Sequence, residues 1–133
     1  MTELFVPILE PKPNPAIIIT TSGVIYAPDV TNATYSATKA ALHSFIQSAR
    51  YVLSKKGSRI KWFELIAPLV DSPFAAGVNS DEKMPPAEVI EDLIKGIEAD
   101  TADIRPGMSQ TIYDAWRESP AKAVDMVNAA IGV

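Results

Sequence analysis

The run Ala16-Ile17-Ile18-Ile19-Thr20-Thr21 is apolar, then β-branched, without interruption. A short stretch of that kind reads as a strand buried on both faces of a parallel sheet. Before it, Glu10-Pro11-Lys12-Pro13-Asn14-Pro15 is a connection punctuated by proline, which breaks a helix and drives the preceding residue to extended geometry. Gly23 to Asn32 should loop. From Thr34 to Lys56, Ala37, Ala40, Ala41, Phe45, Ala49, Val52 and Leu53 recur at helical spacing, which predicts a long helix ended by Gly57. Its small residues would let another helix approach closely. Arg59 to Ala67 reads as a second strand, Pro68 to Pro86 as a loop of turn formers and Ala87 to Ala99 as a helix. Asp103 to Arg105 is a short strand, and Ser109 to Ala130 forms one or two helices divided near Ser119-Pro120. The pattern predicts an α/β unit without repeats or low complexity.

Composition adds exclusions. A chain of 133 residues can bury a modest single core. Its 12 basic and 16 acidic side chains give a net charge of -4, and the basic ones are scattered apart from Lys55-Lys56. Neither a nucleic acid nor an anionic membrane is an expected partner. There is no cysteine, so disulfides and thiolate metal sites are excluded. His43 is the sole histidine, with no carboxylate at ligand spacing, and no metal site is expected. Met1 to Leu9 lacks a basic leader and a long apolar run, so it reads as neither signal peptide nor membrane span, and the expected compartment is the cytoplasm.

Candidate chemistry lies in Tyr35-Ser36-Ala37-Thr38-Lys39 and in Ser22, at the end of the first strand. A carbonyl that accepts hydride must receive a proton at its oxygen, and a phenol supplies one when its high intrinsic pKa is brought towards neutrality. A neighbouring ammonium does that by stabilising phenolate. Residues i and i+4 share a helix face, so Lys39 can sit beside the Tyr35 hydroxyl while Ser22 hydrogen-bonds the substrate oxygen.

These residues, in their strand-helix-strand setting, resemble the short-chain dehydrogenase/reductase family. The likeness runs through Ile17-Ile18-Ile19-Thr20-Thr21-Ser22-Gly23, Tyr35-Ser36-Ala37-Thr38-Lys39-Ala40-Ala41-Leu42 and Trp62-Phe63-Glu64-Leu65-Ile66-Ala67-Pro68-Leu69-Val70-Asp71-Ser72-Pro73. Without those flanking matches, Tyr35 would read as a helix-start tyrosine, Lys39 as a solvated lysine and Ser22 as a turn residue. With them, the resemblance implies an NAD(P)-dependent oxidoreductase that moves hydride between nicotinamide and a small-molecule carbonyl or alcohol. Tyr35 would be the catalytic acid/base, Lys39 would tune it and hold the nicotinamide ribose, and Ser22 would position the substrate.

The resemblance covers nearly all of the chain but only the second half of the family's domain. It implies an incomplete Rossmann-like, doubly wound parallel sheet lacking the N-terminal nucleotide-binding strands, with residues 1–133 as a single C-terminal portion. Glu3 to Leu9 would be the end of the helix before the serine strand, and the asparagine that many members add to the catalytic set would lie before Met1. The glycines are Gly23, Gly57, Gly77, Gly96, Gly107 and Gly132, and no two stand at the G-x-G interval that lets a backbone approach a diphosphate. The family's Pro-Gly-x-Val-x-Thr loop, which contacts the nicotinamide amide, is here Ala67-Pro68-Leu69-Val70-Asp71-Ser72. Val70 and Ser72 keep their types, while Pro68 takes the glycine's place without an N–H.

NADP or NAD is therefore the cofactor by resemblance, with little binding and negligible turnover expected of the isolated chain. The alternative is a non-catalytic remnant that associates with a full-length relative through the Tyr-Lys helix. A first strand lacking a neighbour on one side would leave an apolar edge, and a homo-oligomer or a pairing with a related chain is expected. Phe74, Val78 and Met84 form either an apolar lid or part of the core. Glu82 and Glu88 read as surface charges, and Trp62 and Trp116 as core or interface aromatics.

Overall fold

β1 (Ala16–Ser22) and β2 (Lys61–Ala67) run parallel, with Ala16 opposite Lys61 and Ser22 opposite Ala67. A shorter strand, β3 (Asp103–Ile104), pairs parallel with β2, Glu64 standing opposite Asp103, and gives the sheet order β1-β2-β3. The computed structural model describes residues 2–78, 80–130 and 132. Around the sheet are α1 (Thr2–Leu9), α2 (Ala33–Lys55), α3 (Pro86–Glu98), α4 (Met108–Glu118) and α5 (Pro120–Ala130). None of the described helices is long and apolar enough to cross a membrane.

The element boundaries follow local chemistry. α2 ends in a Schellman motif: Gly57 takes φ 72°, its N–H bonds to Ser54 O at 3.1 Å, and the Ser58 N–H bonds to Leu53 O at 3.0 Å. The division expected near Ser119-Pro120 is present, with Ser119 extended and Pro120 opening α5, where its missing N–H costs nothing.

Neighbouring residues of a strand face opposite sides, and β2 uses both. Trp62 packs under α2 with Ile46, Ile17, Ile19 and Leu42, while Phe63 and Leu65 pack with Val89, Leu93 and Ile97 of α3. The helices α2 and α3 thus cover opposite faces. Yet the steps from β1 to β2 and from β2 to β3 go the same way across the sheet. Two right-handed crossovers in one direction would put both helices on one face, so one of these two is left-handed, against the strong general preference.

This topology corrects the expectation that the first strand is buried on both faces. Ile17 and Ile19 are covered by α2, but Ile18 pairs with Phe63 and so faces the α3 side, where it is 47% exposed. The cover on that side lies over β2 and β3.

Helix α2 is fastened to every strand by a basic side chain. Lys39 Nζ donates to the Thr20 carbonyl of β1 at 3.0 Å, His43 Nδ1 meets Glu64 of β2 at 2.8 Å, and Arg50 meets Asp103 of β3 at 2.6 Å. Between them Ile46 is completely buried.

Candidate active site

Ser22 closes β1 and caps the short turn Gly23–Ile25, its Oγ accepting the Val24 N–H at 3.5 Å. Its opposite number in β2 is Ala67, so the segment Pro68 to Ser72 leaves the sheet beside it. Gly23 is buried against α4, where a Cβ would lie 2.9 Å from Ile112 Cδ1. Open α/β sheets form their ligand crevice at these C-terminal strand ends.

Tyr35 occupies the first turn of α2, half-buried, and Lys39 follows one turn later. Lys39 Nζ lies 5.8 Å from the Tyr35 ring centroid while holding the Thr20 carbonyl. The start of the helix is pinned from two sides. Ser36 Oγ, nearly buried, accepts the Asp29 N–H at 3.1 Å. Asn128 of α5 accepts the Val30 N–H and donates to Pro28 O, both at 3.0 Å. Nothing in the local sequence marks Asn128 for this task, since its partners lie about a hundred residues upstream.

The loop after β2 is clamped by backbone bonds from Met84 N–H to Leu69 O at 2.8 Å and from Asp71 N–H to Met84 O at 2.9 Å, with Val70 bridged to Met84. Ser72 heads the next short turn with no capping bond from its side chain. Phe74, Val78 and Met84 part company. Met84 joins the core beside Phe63 and Leu65, Val78 is 43% exposed, and Phe74 is 86% exposed with its ring 6.2 Å from that of Tyr35. Glu82 and Glu88 are exposed. Trp62 is buried under α2, and Trp116 stacks on Tyr113 at the surface.

Two polar groups of this region stand outside the candidates read from the sequence. Glu64 is fully buried; it accepts the Thr21 hydroxyl at 2.6 Å and His43 Nδ1 at 2.8 and 3.0 Å, while the Gln47 amide reaches His43 Nε2 at 2.9 Å. The hint was an acidic residue inside the apolar run Trp62-Phe63-Glu64-Leu65-Ile66. The other is Tyr26, whose hydroxyl accepts Arg105 Nε at 2.9 Å. Burial pushes its phenol above the ordinary range, and Arg105 opposes the shift. Among the described residues no cluster of His, Asp or Glu is placed to hold a metal ion.

The residues present fit one end of a nicotinamide nucleotide. Lys39 stands beside the Tyr35 ring and reaches the end of β1, and Ser72, beyond the end of β2, makes no capping bond with its side chain. They do not fit the diphosphate, for which the sequence has no glycine pair at the needed interval.

A parallel sheet with helices on both faces and polar side chains gathered at its C-terminal edge defines part of a Rossmann-like α/β fold. No protein-family model matches the chain. Its sequence is 26% identical over 137 residues to the uncharacterized oxidoreductase DltE of Bacillus subtilis (strain 168), covering 96% of this chain and 52% of that protein. A short chain dehydrogenase from Burkholderia cenocepacia J2315, solved in complex with NADP, superposes with a TM-score of 0.82 at 21% identity, over 95% of this chain and 52% of that one. The chain therefore resembles an uncharacterized oxidoreductase in sequence and shares the fold of a short-chain dehydrogenase, and it spans about half the length of each.

Proposed function

We propose that this chain is the part of an NAD(P)-dependent oxidoreductase domain that carries the proton-transfer residues. The observation behind the reading is the gathering of Ser22, Tyr35 and Lys39 at one end of β1 and α2, with the Lys39 ammonium between the Tyr35 ring and the strand carbonyl. The nicotinamide nucleotide, when bound, supplies or accepts hydride. Tyr35 gives the proton to the substrate oxygen in reduction and takes it in oxidation, Ser22 orients that oxygen, and Lys39 would hold the ribose. Val70 and Ser72 would hold the carboxamide, with Pro68 unable to donate. Most of the nucleotide's binding energy comes from a diphosphate cradle that this sequence does not contain, so the chain alone has negligible turnover. Its substrate is a small carbonyl compound or alcohol, and its setting the cytoplasm.

A second reading rests on exposed Phe45, Tyr51 and Val52 of α2 and the groove of about 450 Å³ that Phe45 and Val52 share with Val6 and Trp62. Here the chain is a non-catalytic element that pairs with a second copy or a full-length relative through α2. One experiment separates the two. The purified chain is titrated with NADPH and NADH by nicotinamide fluorescence, with oligomeric state recorded in the same sample. Saturable micromolar binding by the chain, or binding beyond the relative's own when a full-length relative is added, supports the oxidoreductase, and association without binding in either case supports the pairing element.

A further inference from the structure

We propose that Glu64 is a positioning residue: acting through Thr21 and His43, it sets where α2 stands along β1 and so fixes Tyr35 and Lys39 relative to Ser22. The inference rests on the reading of those three residues as the working site. Glu64 has no exposed surface, and leaving a carboxylate there without partners would be costly. Its partners come from two different elements. Thr21 of β1, itself 1% exposed, donates at 2.6 Å, and His43 of α2 reaches the carboxylate at 2.8 and 3.0 Å.

Those partners border the proposed site. Thr21 directly precedes Ser22, and His43 lies one helical turn beyond Lys39 and two beyond Tyr35. Besides the Lys39 bond to the Thr20 carbonyl, made by the flexible end of a long side chain, the contacts between α2 and β1 are apolar, through Ile17, Ile19, Leu42 and Ile46. Apolar contact is non-directional, so it fixes the distance between helix and strand better than their offset along the strand. Hydrogen bonds to one carboxylate fix the offset as well. Burying a charged network is at the same time a poor source of net stability, and apolar replacements of similar size are often neutral or stabilising. A role in geometry, separable from stability, accounts for both.

The test compares stability with site geometry. In the triple variant Thr21→Val/His43→Leu/Glu64→Leu, the urea midpoint should equal or exceed that of the parent. The side-chain NMR signals of Tyr35 and of the Lys39 ammonium, single in the parent, should broaden or double. Glu64→Gln, which keeps an acceptor for both donors, should restore the parent pattern. Sharp, unmoved Tyr35 and Lys39 signals in a folded triple variant would overturn the proposal, as would Glu64→Gln disturbing them as much as the triple change does. If the triple variant does not fold, Thr21→Val alone decides by the same Lys39 signal: displaced or broadened supports, unmoved overturns. Nucleotide enters none of these measurements, so a failure to bind NADPH or NADH would count against the functional reading and leave this result standing.

Discussion

Arg50 of α2 and Asp103 of β3 meet at 2.6 Å, and the same guanidinium bonds to the carbonyls of Trp62 at 3.2 Å and Ala102 at 2.6 Å. One side chain therefore ties the helix to β2 near its start and to the entry of β3. Arg50→Met should lower unfolding stability by about 1–3 kcal/mol, because acceptors at the edge of the core lose a charged donor. Arg50→Lys should recover less than half, since a point charge cannot reproduce the fork. Urea unfolding of the three proteins checks both statements.

Gly96 of α3 sits against Ile104 of β3 so closely that a Cβ would lie 2.5 Å from Ile104 Cγ1 and 2.7 Å from its Cδ1. Gly96→Ala should destabilise by about 1–3 kcal/mol despite alanine's better helix propensity. Adding Ile104→Val removes the second clash and not the first, so thermal melts should show partial recovery.

Tyr26 governs the alkaline limb. Its phenol ionises at about 10 in an unfolded chain and higher in the folded one, where burial disfavours the charge. The folded state thus keeps a proton that the unfolded state releases. The stabilisation is complete below about pH 10 and is lost as pH rises through the folded value. Urea midpoints followed from about pH 8 to 11 should fall less steeply in Tyr26→Phe than in the parent.

Glu10 acts at the other end of the scale. The Arg59 backbone N–H at 2.9 Å, then the Ser58 hydroxyl at 2.7 Å, hold its carboxyl below the ordinary range. Its contribution is present above the unfolded value of about 4.3 and disappears as pH falls through the folded one. Acid titration of Glu10→Gln by circular dichroism should show a shallower loss of structure on that limb.

Tyr35→Phe separates binding from chemistry. If a partner gives the chain measurable hydride transfer, this change should reduce the rate by about 100-fold or more while NADPH affinity stays within about twofold. Stopped-flow nicotinamide absorbance and fluorescence titration read the two quantities.

Much of the architecture is legible in the linear pattern, because period and punctuation are local properties. The run Ala16 to Thr21, the helix ended by Gly57 and the break at Pro120 all appear where their chemistry predicts. What the chain's order conceals is contact across it. His43 has no carboxylate nearby in sequence, and the fold brings Glu64 to it from the adjoining strand. The split between partly buried Met84 and open Phe74 depends on a backbone bridge to Val70 that no spacing announces. The bare side of β1 is equally hidden, since a run of isoleucines looks the same whichever hand its crossovers take. Of the proposed site, the helix spacing alone places Tyr35 and Lys39 together, whereas the supports from Asn128 and Ser36 are visible only in three dimensions.

The uncovered Ile18 side of β1 makes the stability of this chain a matter of mass action. Anything that covers that side in the folded state and ignores the unfolded one adds free energy that grows with the logarithm of its concentration, about 1.4 kcal/mol for each tenfold rise once the folded form is saturated. A melting temperature measured for this chain therefore belongs to a solution of stated composition and concentration, not to the polypeptide alone.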